Sequence, residues 1–340
     1  MAGPGVGYAD LSPQQVLDAL DAIGFRGDGR ILQLNSYENR VFQVFLEDGQ
    51  AVVAKFYRPG RWSDSQILEE HGFALELTAA EVPVVPPLLL PASAGGPVLQ
   101  LQPAAAPTLA TLRRDGAPHR VAVAARCAGR APELEAPQVL RRLGRFIGRL
   151  HDVGRRRAFE HRHAMRPGID ARAAQRRLLE GGFVPATEAR AWTAISDAAI
   201  TDIVDAFESH GDLAPLRLHG DCHLGNVLWR DEGPHVVDLD DACMGPAVQD
   251  LWMLVAGDGS TAAAQWRELL SGYEEFMDFD DRERALIEPL RTLRMLRHSA
   301  WLADRWTDPA FPAAFPFFGS PAYWSEQTAQ LREQVALMAA

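Results

Sequence analysis

The hydrophobic rhythm of the chain changes near residue 125. Before it, short apolar runs are broken by turn residues. After it, apolar positions recur at helical spacing. Residues 11–23 form the first element: Val16, Leu17, Leu20 and Ile23 share one helical face, Ser12 is placed to cap it, Pro13 takes the first turn and Gly24 ends it. Residues 31–34 and 40–46 read as strands, the second with Val41, Val44 and Phe45 among β-formers. Glu47-Asp48-Gly49 supplies a hairpin turn into the strand 51–57, A-V-V-A-K-F-Y. A helix follows over 63–79, with Leu68, Phe73 and Leu77. Residues 82–90, with prolines close by, lead to a further strand. The Ala-, Pro- and Gly-rich stretch 91–118 reads as an inserted surface loop around one hairpin strand at 98–101, and 121–125 as the last strand of the set.

From Pro137 onward the period is helical. Val139, Leu140, Leu143, Ile147 and Leu150 make an amphipathic stripe, and further helices are predicted over 171–180, 187–209, 248–255, 262–276, 282–306 and 325–338. Two short strands, 227–229 and 236–237, interrupt them. This layout predicts an α+β, bilobal molecule with a protein kinase-like outline. An antiparallel sheet lobe with one main helix occupies 1–125, a hinge 126–133, and a larger helical lobe 134–340.

Composition narrows the function. The chain has 340 residues, enough for two lobes with their own cores, and its formal net charge of −11 opposes non-specific nucleic-acid binding. Cys127, Cys222 and Cys243 show no C-x-x-C spacing, which argues against a disulfide framework or a zinc ribbon. The start of the chain lacks the pattern of a signal peptide, and no apolar run reaches membrane-spanning length, so a cytoplasmic, membrane-free monomer is expected. Lys and Arg together number 34, yet Lys55 is the single lysine. Where arginine serves every other cationic position, the one ammonium belongs where a compact charge is needed and a planar guanidinium will not fit.

The chemistry concentrates in R-L-H-G-D-C-H-L-G-N-V-L, residues 217–228, and its sequel H-V-V-D-L-D-D, residues 235–241. Asp221 and Asn226 stand five residues apart, and Asp238 follows a short turn. That order matches a kinase catalytic loop followed by a metal-binding aspartate. An accepting hydroxyl needs a carboxylate to orient it and take its proton. Mg²⁺ on ATP needs hard oxygen ligands, which a carboxylate and an amide provide. Asp221 is therefore the expected base, and Asn226 and Asp238 the metal ligands. Lys55 would hold the α- and β-phosphates, with Glu70, or its neighbour Glu69, pairing with it. Asp250 would brace the loop by accepting backbone hydrogen bonds. His219 and His223 read as loop-packing residues, although with Asp221 and Asp238 they also make a possible metal set. Cys222 reads as a buried bystander, and Trp301, Trp306 and Trp324 as packing between C-terminal helices.

H-G-D-x-H-x-G-N, then D-L-D, then D-L-W resembles the aminoglycoside phosphotransferase and choline kinase-like superfamily. L-N-S-Y-E-N-R-V (34–41), V-A-K-F-Y-R-P (53–59), Q-I-L-E-E-H (66–71), G-P-A-V-Q-D-L-W-M-L (245–254) and D-P-A-F-P (308–312) are similar to the bacterial stress response kinase A family. The resemblance implies an ATP- and Mg-dependent kinase that phosphorylates Ser and Thr on proteins, itself included, in a stress response. It also implies active-site roles for Asp221 and Asp238, magnesium ligation by Asn226 and Asp238, and a nucleotide-site role for Ser36. Residues 35–39 contain no glycine, unlike the phosphate loops of kinases generally, so Ser36 and Asn39 are expected to supply the donors there. A kinase of a small alcohol such as choline or homoserine would use the same catalytic residues, and a non-catalytic nucleotide switch is a third class. A compact acidic or aromatic acceptor cage would point to the small molecule, an open cleft to a protein segment.

Overall fold

A computed structural model describes residues 11–91, 99–101, 107–112, 118–134, 136–257 and 259–339. The smaller lobe begins with α1 (Pro13–Ala22). Ser12 accepts the Gln15 amide and the Gln15 side chain accepts the Ser12 amide, a capping box with proline in the first turn. The strands β1 (Gly27–Leu34), β2 (Arg40–Leu46) and β3 (Ala51–Phe56) follow, then α2 (Asp64–Ala79), β4 (Leu99–Leu101), β5 (Ala110–Leu112) and β6 (His119–Ala125). They form one antiparallel sheet in the order β1-β2-β3-β6-β5-β4.

Alternation sets the two faces of this sheet. Phe42, Val44, Val52, Ala54 and Phe56 point to the core formed with Val16 and Leu20 of α1 and with Ile23 just after it. The opposite face carries Val41, Lys55 and Ala122 side by side, because Lys55 is in register with Val41 on β2 and with Ala122 on β6. Two expectations are corrected here. The stretch 91–118 contributes two strands, β4 and β5, rather than one. Three-residue strands in an Ala- and Pro-rich segment carry no period of their own, and they form by pairing outward from β6. Residues 92–98, 102–106 and 113–117 lie outside the described residues. Residues 82–90, expected to lead to a further strand, make only isolated bridges, Val84 with Val236 and Pro87 with Ala124. Pro83, Pro86 and Pro87 have no N–H to continue a ladder.

The larger lobe contains α3 (Pro137–Gly154), α4 (Pro167–Glu180), α5 (Ala186–Ser209), β7 (Leu216–Leu218), β8 (Val227–Arg230), β9 (Gly233–Val236), β10 (Cys243–Gly245), α6 (Gly259–Tyr273), α7 (Ile287–Asp304), α8 (Ala310–Ala314) and α9 (Pro321–Met338). The apolar stripe of α3 is buried. Its Gly144 lies so close to α6 that an added Cβ would collide with the Leu269 carbonyl oxygen, so only glycine permits this helix contact. The pairs β7–β10 and β8–β9 are antiparallel and frame the loop 219–226 and the turn after β9.

The helix expected at 248–255 is two 3-10 turns, 247–250 and 252–254. Here carboxylates, not a helical ladder, bind the local backbone: Glu283 accepts the Val248 amide, while Asp250 serves the loop at 219–220. The segment 282–306 divides likewise into a 3-10 turn, 281–286, and α7, with Pro289 in the first turn where its missing N–H costs nothing. Among the described residues no helix is long and apolar enough to cross a membrane.

Candidate active site

A cleft of about 1500 Å³ runs between the cleft face of the sheet and the loops of the larger lobe. Lys55 projects into it from β3. Its Nζ lies 3.0 Å from Oδ1 of Asp238 and 3.1 Å from Oδ1 of Asp240. Burial opposes the ammonium, but Asp238 and Asp240 more than offset it and hold its pKa well above the ordinary lysine value. The Tyr57 ring lies 4.9 Å from the same nitrogen.

The expected Lys55–Glu70 pair is corrected. Glu70 is buried near Lys55, but its Oε2 makes no hydrogen bond, and the ammonium is given to the two aspartates instead. Burial pushes the Glu70 carboxyl up to about 7, against the pull of Lys55. Glu69 turns the other way along α2. It accepts the amides of Glu160, His161 and Arg162 at 2.5, 2.8 and 2.6 Å, fixing the segment after α3.

The loop after β7 is held from below by Asp250. This fully buried carboxylate accepts the His219 amide at 2.7 Å and the Gly220 amide at 2.8 Å, and it meets His151 Nε2 at 3.1 Å. Gly220 has φ +85°, and a Cβ there would strike the Asp241 carbonyl oxygen, so the motif needs glycine at this position. The imidazole of His219 is fully used: Nε2 meets the Val237 carbonyl at 3.0 Å and Nδ1 accepts the Asp221 amide at 3.3 Å. It packs the loop and is not available as a metal ligand. A 3-10 turn, Leu224–Asn226, then brings Asn226 back so that its Nδ2 donates to the Asp221 carbonyl at 3.0 Å. The Val237 amide donates to the Asn226 carbonyl at 3.0 Å, which sets Asn226 beside Asp238.

Asp221 also lines the cleft. Its Oδ1 is paired with Nη1 of Arg294 on α7, and Oδ2 is 3.4 Å from His223 Nε2. Burial would raise its pKa, but His223 and Arg294 prevail and hold it well below the usual carboxylate range. The carboxylate is thus ionised and can accept a hydrogen bond. Cys222, directly after it, is fully buried, and burial pushes its thiol far above the ordinary value.

Asp238 and Asp240 divide their work by a backbone reversal. Asp238 is left-handed, φ 66° and ψ 64°, a conformation aspartate tolerates better than most residues. Its side chain remains 48% exposed in the cleft, whereas that of Asp240 is 3% exposed. Asp240 is bound by Lys55, by Arg61 and by Asn39 Nδ2 at 3.2 Å. An accessible carboxylate at Asp238 beside the amide of Asn226 suits Mg²⁺, which takes one or two protein oxygens and completes its shell with phosphate and water. No cluster of three or more His, Cys, Asp or Glu side chains able to hold a metal occurs among the described residues, so the His219–Asp221–His223 metal set is not formed.

The phosphate-loop expectation is corrected at Asn39. Its side chain is committed inside the protein, donating to Asp240 and accepting the Arg58 amide at 3.1 Å, so it ties β2 to the loop after β9. Ser36 lines the cleft and its Oγ accepts the Asn39 amide at 3.2 Å. Without glycine, the loop is held by Glu38, which sequence reasoning missed. Glu38 pairs with Arg305 at 2.6 Å, accepts Trp301 Nε1 at 2.8 Å and lies 3.3 Å from Arg58 Nε. Tyr37 packs 5.0 Å from the Phe315 ring. Asp240, Arg61 and Arg294 were also missed. The D-L-D-D string signalled more than one useful carboxylate, but nothing local signalled the arginines.

This fold and this cleft define a phosphotransferase. The chain belongs to the phosphotransferase enzyme family, whose sequence pattern matches residues 30–287. Within that family it groups with stress response kinase A. The Escherichia coli (strain K12) protein of that name is 41% identical over 333 residues, covering 97% of this chain and 94% of the relative. The Salmonella typhimurium (strain LT2) protein named serine/threonine protein kinase RdoA is 41% identical over 335 residues, again covering 97% and 94%. Among solved structures, amicoumacin kinase hAmiN, in complex with AMP-PNP, Ca²⁺ and Ami, aligns with a TM-score of 0.68 at 17% identity, covering 95% of this chain and 92% of that one. A microcompartment-associated aminopropanol kinase aligns with a TM-score of 0.68 at 16% identity, covering 96% and 97%. At those identities the likeness is one of fold.

Proposed function

We propose that this protein is an ATP- and Mg-dependent serine/threonine protein kinase of a bacterial stress response, acting in the cytoplasm and able to phosphorylate itself. One observation carries the reading: Lys55, Asn226, Asp238 and the ionised Asp221 line one cleft. In this reading 1–125 is the nucleotide lobe, 126–133 the hinge and 134–340 the catalytic and acceptor lobe.

The chemistry follows from the residues. Lys55 binds the α- and β-phosphates and is itself oriented by Asp240. Ser36 contacts nucleotide from the loop above. Asp238 and Asn226 would hold Mg²⁺, which would supply charge neutralisation on the phosphate oxygens. Asp221 accepts a hydrogen bond from the acceptor hydroxyl, fixes its attack direction and takes its proton as the bond to phosphorus forms. Asp250 keeps that carboxylate in place through the His219 and Gly220 amides.

The acceptor side supports a protein segment. At about 1500 Å³ the cleft exceeds the roughly 300–1,000 Å³ of ordinary small-molecule pockets, and Trp301, Phe311 and Phe315 are packed with one another and with Tyr37 rather than arranged as an empty aromatic cage. The test is incubation of purified protein with γ-labelled ATP and Mg²⁺, alone and with generic protein, choline or homoserine. Label on serine and threonine of protein, including the kinase itself, is expected. Label confined to choline or homoserine would refute the protein acceptor.

A further inference from the structure

The acceptor side of the cleft carries guanidinium groups at positions the mechanism above does not use. Arg294 and Arg297 lie three residues apart on α7, so they share a face, and both line the cleft. Arg176, on α4, lines it as well. The helices α4 and α7 pack together, with Arg177 Nε 2.5 Å from Asp304 and Arg177 Nη2 donating to the Ala303 carbonyl at 3.0 Å. The carboxylates on this side are accounted for as follows. Asp304 is matched by Arg177, Asp221 by Arg294 and Asp241 by Arg61; Asp170 accepts the Arg166 amide at 3.1 Å; Glu180, exposed at the end of α4, forms no ion pair among the described residues. Arg176 and Arg297 are exposed and form no ion pair among the described residues. In a chain of net charge −11, the base thus faces a groove with two uncommitted cations and a third that rests on the base itself.

The contact between Arg294 and Asp221 has a consequence for the acceptor. One oxygen of the base is already bonded to a guanidinium and the other faces His223, so an incoming hydroxyl shares the carboxylate with Arg294. A neutral or cationic acceptor brings nothing to draw Arg294 away. An acceptor with a carboxylate or phosphate near its hydroxyl brings a replacement partner of the right geometry for an arginine fork.

Resting on the kinase reading above, we propose that Arg294, Arg297 and Arg176 read an anionic group close to the accepting hydroxyl. The preferred acceptors are then Ser or Thr segments flanked by acidic or phosphorylated residues, and Arg294 passes from Asp221 to that anionic group as the acceptor binds. The transfer balances in the ordinary way. The acceptor oxygen bonds to the γ-phosphorus, the bond from that phosphorus to the β–γ bridging oxygen breaks, ADP leaves with the electron pair, and the hydroxyl proton goes to Asp221. Arg294 is a positioning and specificity residue in this scheme, not a participant in bond making.

The experiment uses the full chain, MgATP and sets of Ser-containing peptides identical except for Asp, Asn or Lys at positions flanking the serine. Homoserine and choline are included as a free hydroxy acid and a free cationic alcohol. Acidic peptides are expected to exceed neutral ones by about tenfold in kcat/KM, and Lys peptides to fall below both. Arg297→Glu should reverse the order of acidic and Lys peptides. Arg294→Ala should bring the acidic-to-neutral ratio toward one, with an unchanged melting temperature showing that the fold is intact. Equal kcat/KM for acidic and neutral peptides overturns the proposal, as does an acidic preference undiminished in both variants. If label reaches homoserine but no peptide, the anionic reader stands and the protein acceptor falls. If only choline is labelled, both fall.

Discussion

Lys55 and Asp240 meet inside the cleft: the chain's single lysine lies 3.1 Å from a carboxylate that is 3% exposed. Asp240 is in turn held by Arg61 and Asn39, so the lysine is aimed by a preassembled set rather than by one partner. The second aspartate on the ammonium, Asp238 at 3.0 Å, is the accessible one. A point charge between two carboxylates is a role that a planar fork fills poorly.

Lys55→Arg should therefore lose most activity although it keeps the charge. Apart from the terminal amine, Lys55 is the only primary amine in the sequence. An acyl-phosphate analogue of ATP should acylate this one side chain, and excess MgATP should protect it. Peptide mass mapping reads the result. Equal labelling with and without MgATP would remove Lys55 from the nucleotide site.

Asp238→Ala should abolish the tightening of ATP binding by Mg²⁺, and Asn226→Ala should weaken it partially, because the first removes a carboxylate ligand and the second a neutral one. Calorimetric titration of ATP with and without Mg²⁺ distinguishes the two. A full metal effect in the Asp238 variant would contradict its assignment.

Glu38→Gln should loosen the glycine-free loop, since Arg305, Arg58 and Trp301 all converge on that carboxylate. The expected signature is a rise in the KM for ATP of about tenfold with a smaller change in kcat, matching the loss of charge-assisted contacts. Steady-state kinetics over ATP concentration provide the check, and an unchanged KM would show that the clasp does not shape the nucleotide site.

Glu283 gives a pH-dependent stability term. It accepts the Val248 amide, and burial pushes its carboxyl up to about 7. Because its folded pKa is raised, the folded state retains a proton that the unfolded chain releases. Stability should then fall as pH rises from about 4.5 to about 7, by up to about 3 kcal/mol for this group, and level off above. Glu283→Gln cannot ionise and should lose that slope. Denaturant unfolding of both proteins from pH 5 to 8 measures the difference; parallel curves would contradict it.

Local signals carried the sequence reading a long way. Alternation marks β2 and β3, and the single lysine marks a position on the cleft face of the sheet. The spacing of Asp221, Asn226 and Asp238 puts three side chains in one place because the intervening residues are a tight turn and a short hairpin. Asp250 stands below them for the same kind of reason. What escaped depends on rotation or on distance along the chain. Glu69 and Glu70 are neighbours, and only the docking of α2 decides which faces the cleft. Asp238 and Asp240 are told apart by a left-handed residue that no pattern announces. Arg294 meets Asp221 across 73 residues, and Glu38 meets Arg305 from the other lobe. The strands β4 and β5 are induced by a neighbouring edge rather than specified by their own composition.

The central claim is that Asp221 serves the phosphoryl acceptor and not the nucleotide or the fold. Asp221→Asn separates these most directly, by measuring ATP binding calorimetrically and the rate of transfer of γ-labelled phosphate to serine and threonine in the same preparation. The account predicts nearly unchanged nucleotide binding with transfer slowed by roughly 10²–10⁴-fold, the scale of a positioned proton acceptor. Transfer at the wild-type rate would contradict it.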